Sequence, residues 1–312
     1  MLNIPDVYSL PEDLPYRFDR SFDEKSGYRT KSMLVVPLIN NRDELIGVLQ
    51  LINARDETGK VIPFSSSDEP YILNFAKAAA IALEKAQLTR SLILRMINMA
   101  ALRDPEETAE HVNRVGAYSV EIFEEWARMK GYSEDEIEKK KSILRMAAMV
   151  HDVGKVGISD TILKKPGKLT AEEFEIMKAH TYLGARLFLQ DPKSEFDIAA
   201  AEVALNHHER WDGKGYPGYV DPFTGKPLPG YEEKGRARPK KGEEIPVFGR
   251  IVALADVYDA LSSKRCYKEP WPEEKVLKEI EKNAGRQFDP SVVEAFFSCL
   301  DAIRAIKERY KN

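Results

Sequence analysis

The apolar residues near the start of the chain fall into two short runs. Residues 32–39 (SMLVVPLI) and 45–52 (LIGVLQLI) are rich in large apolar side chains, and the polar run 40–44 separates them. This arrangement predicts two strands joined as an antiparallel hairpin. The first 30 residues are rich in Pro, Asp and Ser and lack periodicity, so they indicate no particular element.

A long helix is expected after the hairpin. The serines and acids at residues 65–69 are suitable N-caps, and neither Gly nor Pro occurs from Tyr71 to Arg103. Four apolar residues form a stripe at helical spacing: Leu88, Leu92, Met96 and Met99. The stripe fits either core packing of the helix or a seam between two copies of the chain.

From residue 104 onward the pattern is almost wholly helical. Asp104 predicts an N-cap and Pro105 a first-turn position. A segment at 213–249 is crowded with Gly, Pro and Lys, and this half of the chain shows no strand pattern. Helices are expected over seven segments: residues 106–129, 134–152, 171–190, 195–210, 248–262, 272–284 and 290–310. The sequence therefore predicts a small α+β region and an all-α domain, joined by the long helix.

Composition narrows the classes of function. With 47 basic and 51 acidic residues among 312, the formal net charge is −4, which argues against a protein that coats DNA. The two cysteines, Cys266 and Cys299, form no CxxC pair, so we expect neither a disulfide framework nor a thiolate zinc site. The start lacks a signal-peptide pattern, and no apolar run approaches the roughly 20 residues of a membrane span. A cytoplasmic protein without membrane association is predicted.

All five histidines lie between His111 and His208. Neutral imidazole and carboxylate together are ligands for Zn, Fe, Mn and Ni. The apolar run 143–150 would bury His151 and Asp152, which is costly unless the pair is coordinated or hydrogen-bonded within a core. A metal site is the favoured interpretation, and Asp152 offers a short arm that can bridge two ions.

Other residues fit the same chemistry. Adjacent residues on a helix point about 100° apart, so His207 and His208 can serve two neighbouring ions. Asp256 lies in an apolar helix and needs a partner such as a metal. Glu107 lies one turn before His111, although a solvated glutamate is the alternative. His180 alone would be a capping or packing residue more often than a ligand.

Three further features have structural interpretations. Asp259, one turn after Asp256, is expected to anchor hydrogen bonds, and Arg114 is expected in a surface ion pair. The glycines at 213, 215 and 218 predict a loop whose backbone N–H groups could approach an anion.

Three motifs together resemble one known family. The pentad HDVGK (151–155), the block HHERWDGKGYP (207–217) and the segment ALADVYDALSSKRCYK (253–268) resemble the HD-GYP family of HD metal-dependent phosphohydrolases over residues 105–312. The family hydrolyses cyclic di-GMP to linear pGpG and, in many members, onward to GMP. The resemblance implies that this chain is such a phosphodiesterase.

The resemblance also implies roles for particular residues. Lys155 would lie near the scissile phosphate, and Tyr216, Arg265 and Lys268 would contact the substrate. The metal ligands would be His111, His151, Asp152, His180, His207, His208 and Asp256, with Asp152 bridging. Glu107 fits the pattern of the members with three ions, so two or three divalent cations are expected, three being favoured and Fe or Mn the first guess.

The expected mechanism follows from charge. Two cations neutralise the phosphodiester and acidify a water between them, and the resulting hydroxide attacks phosphorus opposite the leaving ribose oxygen. Lys155 would stabilise the developing charge or protonate the leaving group. Loss of Asp152 should therefore abolish hydrolysis.

The first part of the chain resembles the second half of a GAF sensory domain, through GYRTKSMLVVPL (27–38), ELIGVLQLINA (44–54) and the long helix. The predicted domains are a partial GAF-like domain at 1–83, a helical connector at 84–104 and an HD-GYP domain at 105–312. A homodimer through the first region and the connector is a further expectation.

The chain departs from the HD-GYP pattern at two places. The net basic insertion 219–242 is either a lid that attracts an anionic dinucleotide or a solvated, mobile segment. Cys266 occupies a place where the family often has proline, which affects only the local loop.

Two alternatives to the enzyme remain at this point. One is a receptor that binds cyclic di-GMP without turnover and signals through the long helix. The other is an HD hydrolase that acts on another nucleotide. The intact ligand set argues against the first, and Tyr216 with Arg265 and Lys268 argues against the second.

Overall fold

The chain, described by a computed structural model over residues 1–101, 103–104, 108–263 and 269–310, divides into two compact units. The first is Met1–Leu92 and the second is Ile93–Asn312. The first contains a small β-sheet, and the second consists mainly of helices joined by loops. The predicted order, an α+β region followed by an all-α domain, is confirmed. The domain limits after residues 83 and 104 stay predictions.

The first unit contains a three-stranded antiparallel sheet in the order β1 (Leu2–Ile4), β2 (Met33–Ile39), β3 (Leu45–Ile52). The predicted hairpin is confirmed, with Met33 opposite Ile52 in the register. Between β1 and β2 lies a short helix, α1 (Ser21–Ser26). Neither β1 nor α1 was expected, because the first 30 residues carry no periodic pattern.

A long helix, α2 (Glu69–Ala101), belongs partly to each unit. Its early residues Ala76 and Ala80 pack in one cluster with Leu34 and Val36 of the sheet. Farther along, Ile93 and Ile97 are buried in the core of the helical unit. The predicted stripe lies elsewhere on the helix, and its side chains are 40–69% exposed: Leu88, Leu92, Met96 and Met99. The core-packing interpretation of the stripe is therefore wrong, and the dimer seam stays a prediction.

The helical unit continues with ten α-helices among its described residues. The first five of these are α3 (Ala109–Met129), α4 (Glu134–Met149), α5 (Asp160–Leu163), α6 (Ala171–Lys178) and α7 (His180–Leu189). The others are α8 (Glu195–Asn206), α9 (Val247–Ser262), α10 (Glu273–Lys282), α11 (Pro290–Ser298) and α12 (Leu300–Arg309). Across the residues described, none of the helices is long and apolar enough to cross a bilayer.

Several predicted helix limits are wrong. The predicted helix 171–190 is two helices that break at Ala179, and 290–310 breaks at Cys299. No Gly or Pro marks either break, and Ala179 keeps helical dihedral angles (φ −60°, ψ −21°). The predicted helices 134–152 and 195–210 end early, at Met149 and Asn206. As a result, the histidines and the aspartate that follow these helices lie in turns rather than on helical faces.

A small antiparallel hairpin corrects the expectation of no strand in the second half. It consists of β4 (Glu232–Glu233) and β5 (Arg236–Ala237). Each strand has only two residues, which is too short to produce an alternating pattern in the sequence.

The core of the helical unit lies between α3, α4, α8 and α9. Side chains that are fully buried there include Tyr118, Leu144, Val203, Leu254 and Tyr258. Tyr118 and Tyr258 pack edge to face, with ring centroids 5.2 Å apart, an arrangement that aromatic quadrupoles favour. This packing fixes the ends of α4 and α8, from which the predicted metal ligands emerge.

The glycine of the HDVGK pentad permits a close backbone contact. Gly154 lies in a 3₁₀ helix, Val153–Gly157, that packs against α7. A Cβ atom at Gly154 would lie 1.9 Å from the carbonyl oxygen of His180 and 2.4 Å from the amide nitrogen of Gly184. Backbone atoms cannot move aside as a flexible side chain can. The contact therefore holds the turn after α4 against the first turn of α7.

The Gly154→Ala substitution is expected to lower the free energy of unfolding by about 1–3 kcal/mol, the usual cost of overpacking a core. Equilibrium urea unfolding of the metal-free protein measures this. Gly157→Ala is the matched control, because a Cβ there would meet the Cδ1 atom of Leu183 at 2.9 Å, the end of a side chain that can rotate. Equal losses in the two variants would contradict the importance of the backbone contact.

Candidate metal centre

His151 and Asp152 lie in the turn that directly follows α4. His151 is fully buried, and Asp152 is 9% exposed. The Nδ1 atom of His151 lies 2.8 Å from the carbonyl oxygen of Ala148. Because a carbonyl can only accept, Nδ1 carries a proton, so in a neutral ring the free lone pair is on Nε2.

His180 and His207 repeat this arrangement. Nδ1 of His180 donates to the carbonyl of Met177 at 2.7 Å, and Nδ1 of His207 donates to the carbonyl of Ala204 at 3.0 Å. Burial lowers the pKa of His207 below its ordinary value, which favours the neutral ring. Three imidazoles from three different parts of the chain therefore have Nδ1 bonded to a carbonyl and Nε2 left as the possible metal ligand.

These Nε2 atoms converge on the carboxylate of Asp152. Its Oδ1 atom lies 3.1 Å from Nε2 of His180 and 3.4 Å from Nε2 of His207, while Oδ2 lies 3.5 Å from Nε2 of His151. Within the described part of the chain, the three Nε2 atoms and Oδ1 have no hydrogen-bond partner. Lone pairs that face one another in a buried site repel unless a cation lies between them. The donor set thus fits divalent metal ions.

Asp152 is held in its charged form. Burial alone would raise its pKa, but Lys155 and His151 hold the pKa of this carboxyl well below its usual range. The Nζ atom of Lys155 lies 2.8 Å from Oδ2 of Asp152. The carboxylate is therefore available as an anionic ligand.

The potential ligands form two groups, which we call the metal groups. Within each group the ligand atoms lie within 4.8 Å of one another: Asp152, His180, His207 and His208 in the first, and His111, His151 and Asp256 in the second. Oδ1 of Asp256 lies 3.7 Å from Nε2 of His111 and 4.0 Å from Nε2 of His151. The structure thus places every predicted ligand among its described residues in one of the two groups, but His207 and His208 belong to the same group, contrary to the expectation that they serve two ions.

His208 lies beside the predicted substrate-binding tyrosine. Its ring stacks on that of Tyr216, with centroids 4.8 Å apart and planes at 29°. Burial, reinforced by the nearby His207, lowers the pKa of His208 well below its ordinary value. His208 is thus a neutral imidazole, and Tyr216 covers one of its faces.

His111 is oriented by a buried ion pair that the sequence did not reveal. Its Nδ1 atom lies 2.8 Å from Oδ2 of Asp259. Arg114 donates two hydrogen bonds to the same carboxylate, from Nε to Oδ1 at 2.6 Å and from Nη2 to Oδ2 at 2.9 Å. The anchoring role predicted for Asp259 agrees with these contacts. The predicted surface position of the Arg114 ion pair is wrong, because the Asp259 side chain is only 2% exposed.

Lys155 contacts a second carboxylate besides Asp152. Its Nζ atom lies 3.0 Å from Oδ2 of Asp104, whose side chain is 8% exposed. Asp104 was predicted to cap the next helix, but the N-cap of α3 is Thr108, whose hydroxyl accepts from the amide of His111 at 3.2 Å. An Asp-Pro pair resembles a helix start in sequence, and nothing local to it indicates a lysine 51 positions away. His151 and Lys155 both follow the end of α4, so their spacing of four residues does not place them on one helical face.

Glu209, which was not predicted to have a role, accepts hydrogen bonds from the loop that follows Gly215-Tyr216-Pro217. Its carboxylate is 3% exposed and accepts from the amides of Gly218 at 2.6 Å and Lys240 at 3.2 Å. Burial raises the pKa of Glu209 to about 7. The amide of Gly213 donates to Arg210, so the N–H groups of Gly213 and Gly218 serve the loop itself and not an external anion.

The insertion 219–242 is a folded segment. Tyr219 and Tyr231 stack with ring centroids 4.0 Å apart, and the guanidinium of Arg238 lies 4.8 Å from the Tyr219 centroid. Arg238 also pairs with Glu244. Elsewhere in the insertion, Gly225 packs closely against the ring of Tyr182. The interpretation of this insertion as mobile is not supported by these contacts, and the lid stays a prediction.

Some predicted residues lie outside the described residues. They are Pro105, Glu107, Arg265, Cys266 and Lys268. The third metal ion and the two basic substrate contacts therefore stay predictions.

Comparison with known proteins supports this picture. Residues 108–261 match the family model described as HD domain, and residues 1–83 match the model described as GAF domain. A cyclic di-GMP phosphodiesterase of Thermotoga maritima is 42% identical over 220 residues, which cover 70% of this chain and 52% of that protein.

Two relatives from Vibrio cholerae are each 36% identical. One is a 3′3′-cGAMP-specific phosphodiesterase, aligned over 73% of this chain and 38% of the relative. The other is a cyclic di-GMP phosphodiesterase, aligned over 80% of this chain and 49% of the relative. The chain thus spans about half or less of the length of these relatives. The resemblances to HD phosphohydrolases and to GAF domains are confirmed: the chain contains a helical HD domain and, in residues 1–83, a stretch that matches the GAF model.

Proposed function

We propose that the chain is a metal-dependent phosphodiesterase that hydrolyses cyclic di-GMP to pGpG and onward to GMP. The observation that carries this proposal is the convergence of the Nε2 atoms of His151, His180 and His207 on the Asp152 carboxylate, beside the ammonium group of Lys155. The similarity to cyclic di-GMP phosphodiesterases, at 36–42% identity, supports the substrate.

The two groups of ligands would each hold a divalent cation, Fe or Mn being the first candidates for this mixed N/O donor set. Asp152 would contribute to both, since its Oδ1 faces His180 and His207 while its Oδ2 faces His151. Bound cations of this kind neutralise an anionic phosphodiester and lower the pKa of a water that serves as nucleophile. Glu107 would add a ligand for a third ion.

The residues around the metal groups would bind and orient the phosphodiester. Lys155 would place its charge near the phosphate and stabilise the negative charge that develops on the phosphoryl oxygens. Asp104 and Asp152 hold its ammonium group in place at 3.0 and 2.8 Å. Tyr216, beside His208, would contact the substrate together with Arg265 and Lys268.

We assign catalysis to residues 105–312, with 84–104 as a helical connector and 1–83 as a partial GAF-like domain. A second candidate substrate is 3′3′-cGAMP, because one relative at 36% identity is specific for it. A receptor without turnover is disfavoured, since binding alone does not require the complete set of metal-ligating side chains.

The test is a turnover assay on protein purified without oxygen and loaded with Fe²⁺ or Mn²⁺. Elemental analysis gives the metal content per chain, and nucleotide chromatography follows cyclic di-GMP and 3′3′-cGAMP. We expect cyclic di-GMP to be converted to pGpG and then GMP, faster than 3′3′-cGAMP is consumed. Tight binding without any product from a metal-loaded protein would replace the enzyme with the receptor.

A further inference from the structure

An aromatic side chain and a lysine of helix α6 lie beside Tyr216. Phe174 and Lys178 are four residues apart and share one face of the helix. The ring of Phe174 meets that of Tyr216 edge to face, with centroids 5.9 Å apart. The Nζ atom of Lys178 lies 5.1 Å from the Phe174 centroid and 5.4 Å from the Tyr216 centroid. We call Phe174, Lys178 and Tyr216 the aromatic platform.

The aromatic platform is continuous with the metal groups. Tyr216 stacks on His208 at 4.8 Å. The last turn of α6 also supplies the carbonyl of Met177 that accepts from Nδ1 of His180. From the metal groups outward, the order of the rings is therefore His208, Tyr216 and Phe174, and the ammonium group of Lys178 lies beside the last two.

The outer end of the aromatic platform is open to solvent. Phe174 is 44% exposed, and α6 contains no buried residue at all. Lys178 pairs with Glu175 at 2.9 Å, which holds its ammonium group over the two rings. Core packing therefore does not account for the position of Phe174.

An exposed aromatic ring beside a cation suits a flat heterocycle attached to a phosphate. Bases stack on aromatic side chains with little dependence on sequence, at about 1–3 kcal/mol per base. An ammonium group near the rings attracts the phosphate that is attached to the nucleoside. Among the parts of a cyclic dinucleotide, only a nucleobase has this flat shape.

We propose that the aromatic platform is a nucleobase subsite in which one guanine of the substrate stacks on Phe174 while the neighbouring phosphodiester lies at the metal groups. Phe174 and Lys178 are then substrate-binding residues. This inference rests on the proposed function and adds the position of one base to it.

The experiment compares four proteins: wild type, Phe174→Ala, Phe174→Trp and the control Ile176→Ala, which removes another exposed apolar side chain of α6 (51% exposed). Equilibrium binding of cyclic di-GMP to metal-free protein is measured by calorimetry, and kcat and KM are measured on metal-loaded protein. We expect Phe174→Ala to weaken binding and raise KM about tenfold, which corresponds to about 1.4 kcal/mol, with kcat changed less than twofold. Phe174→Trp should restore both values, and Ile176→Ala should leave them at wild type.

The outcomes separate the two proposals. Wild-type protein that binds cyclic di-GMP but makes no product overturns the proposed function, while a tenfold loss in Phe174→Ala would still support the base subsite. Turnover with unchanged affinity and KM in Phe174→Ala overturns the base subsite alone. A loss of kcat without a change in KM would also overturn it, because it would indicate distortion of α6 and His180. Absence of both binding and turnover in the wild type overturns both proposals.

Discussion

The Asp152→Asn variant is expected to lose its bound metal and its hydrolysis of cyclic di-GMP together. Asparagine keeps the shape of the side chain but replaces one carboxylate oxygen with an N–H donor and removes the charge. Oδ1 and Oδ2 face different histidines, so one substitution weakens both ligand groups. Loss of a residue that only supports a ligand costs about 10–100-fold in affinity or activity, and we expect a larger loss here. Turnover and elemental analysis measure it.

A thermal melt separates metal binding from catalysis. Ions that bind the folded chain stabilise it by about 2.7 kcal/mol at a hundredfold excess over Kd, so Mn²⁺ should raise the Tm of the wild type. The gain should be much smaller in Asp152→Asn. Asp191→Asn is the control, because that carboxylate is 73% exposed and pairs only with nearby Lys193 among the ion pairs that the described residues show. A metal-loaded Asp152→Asn variant with wild-type turnover would contradict the arrangement of the two groups.

The candidate ligands could be predicted because the side chains of histidine and aspartate are themselves the groups that bind metals. Five histidines confined to His111–His208 and two aspartates in apolar surroundings have few explanations other than coordination. The strands β2 and β3 and most of the helices could be predicted for a similar reason, since burial of one face produces a periodic pattern. These inferences need only local sequence and the cost of burying polar groups.

Features that depend on contacts between distant residues could not be predicted. Arg114 and Asp259 are 145 positions apart, and helical periodicity says nothing about which helix lies opposite. Asp104 has the sequence of a helix cap, but its carboxylate is used by Lys155. The break at Ala179 carries no Gly or Pro, although it begins the helix that carries His180. For Arg114 and for Asp104 the deciding interaction is with a residue far away in the sequence.

The supporting residues around the metal groups also have a common feature. In four of the candidate ligands Nδ1 is held by a hydrogen bond, to a carbonyl at His151, His180 and His207 and to a carboxylate at His111, which leaves Nε2 for a metal. A carboxylate partner makes the imidazole a stronger ligand than a carbonyl partner does. His111 therefore depends on a residue whose replacement can be tested.

Replacement of Asp259 by leucine is expected to lower the free energy of unfolding by about 3–5 kcal/mol, the usual cost of removing one partner from a buried ion pair. The Arg114 side chain is 12% exposed, so its charge would lose its carboxylate while still largely shielded from water. Urea unfolding of the metal-free protein measures the loss. Glu134→Gln, which removes an exposed partner of Arg128, is the control and should change stability by less than about 1 kcal/mol.

The double variant Arg114→Met with Asp259→Leu distinguishes stability from metal binding. Replacing both members of a buried pair with apolar residues of similar volume is often neutral or stabilising, so most of the lost stability should return. Metal affinity should not return, because Nδ1 of His111 still lacks its carboxylate, and a roughly 10–100-fold deficit is expected. Recovery of both would show that Asp259 acts only as the counter-charge of Arg114. Recovery of stability alone would show that the same carboxylate also orients a metal ligand.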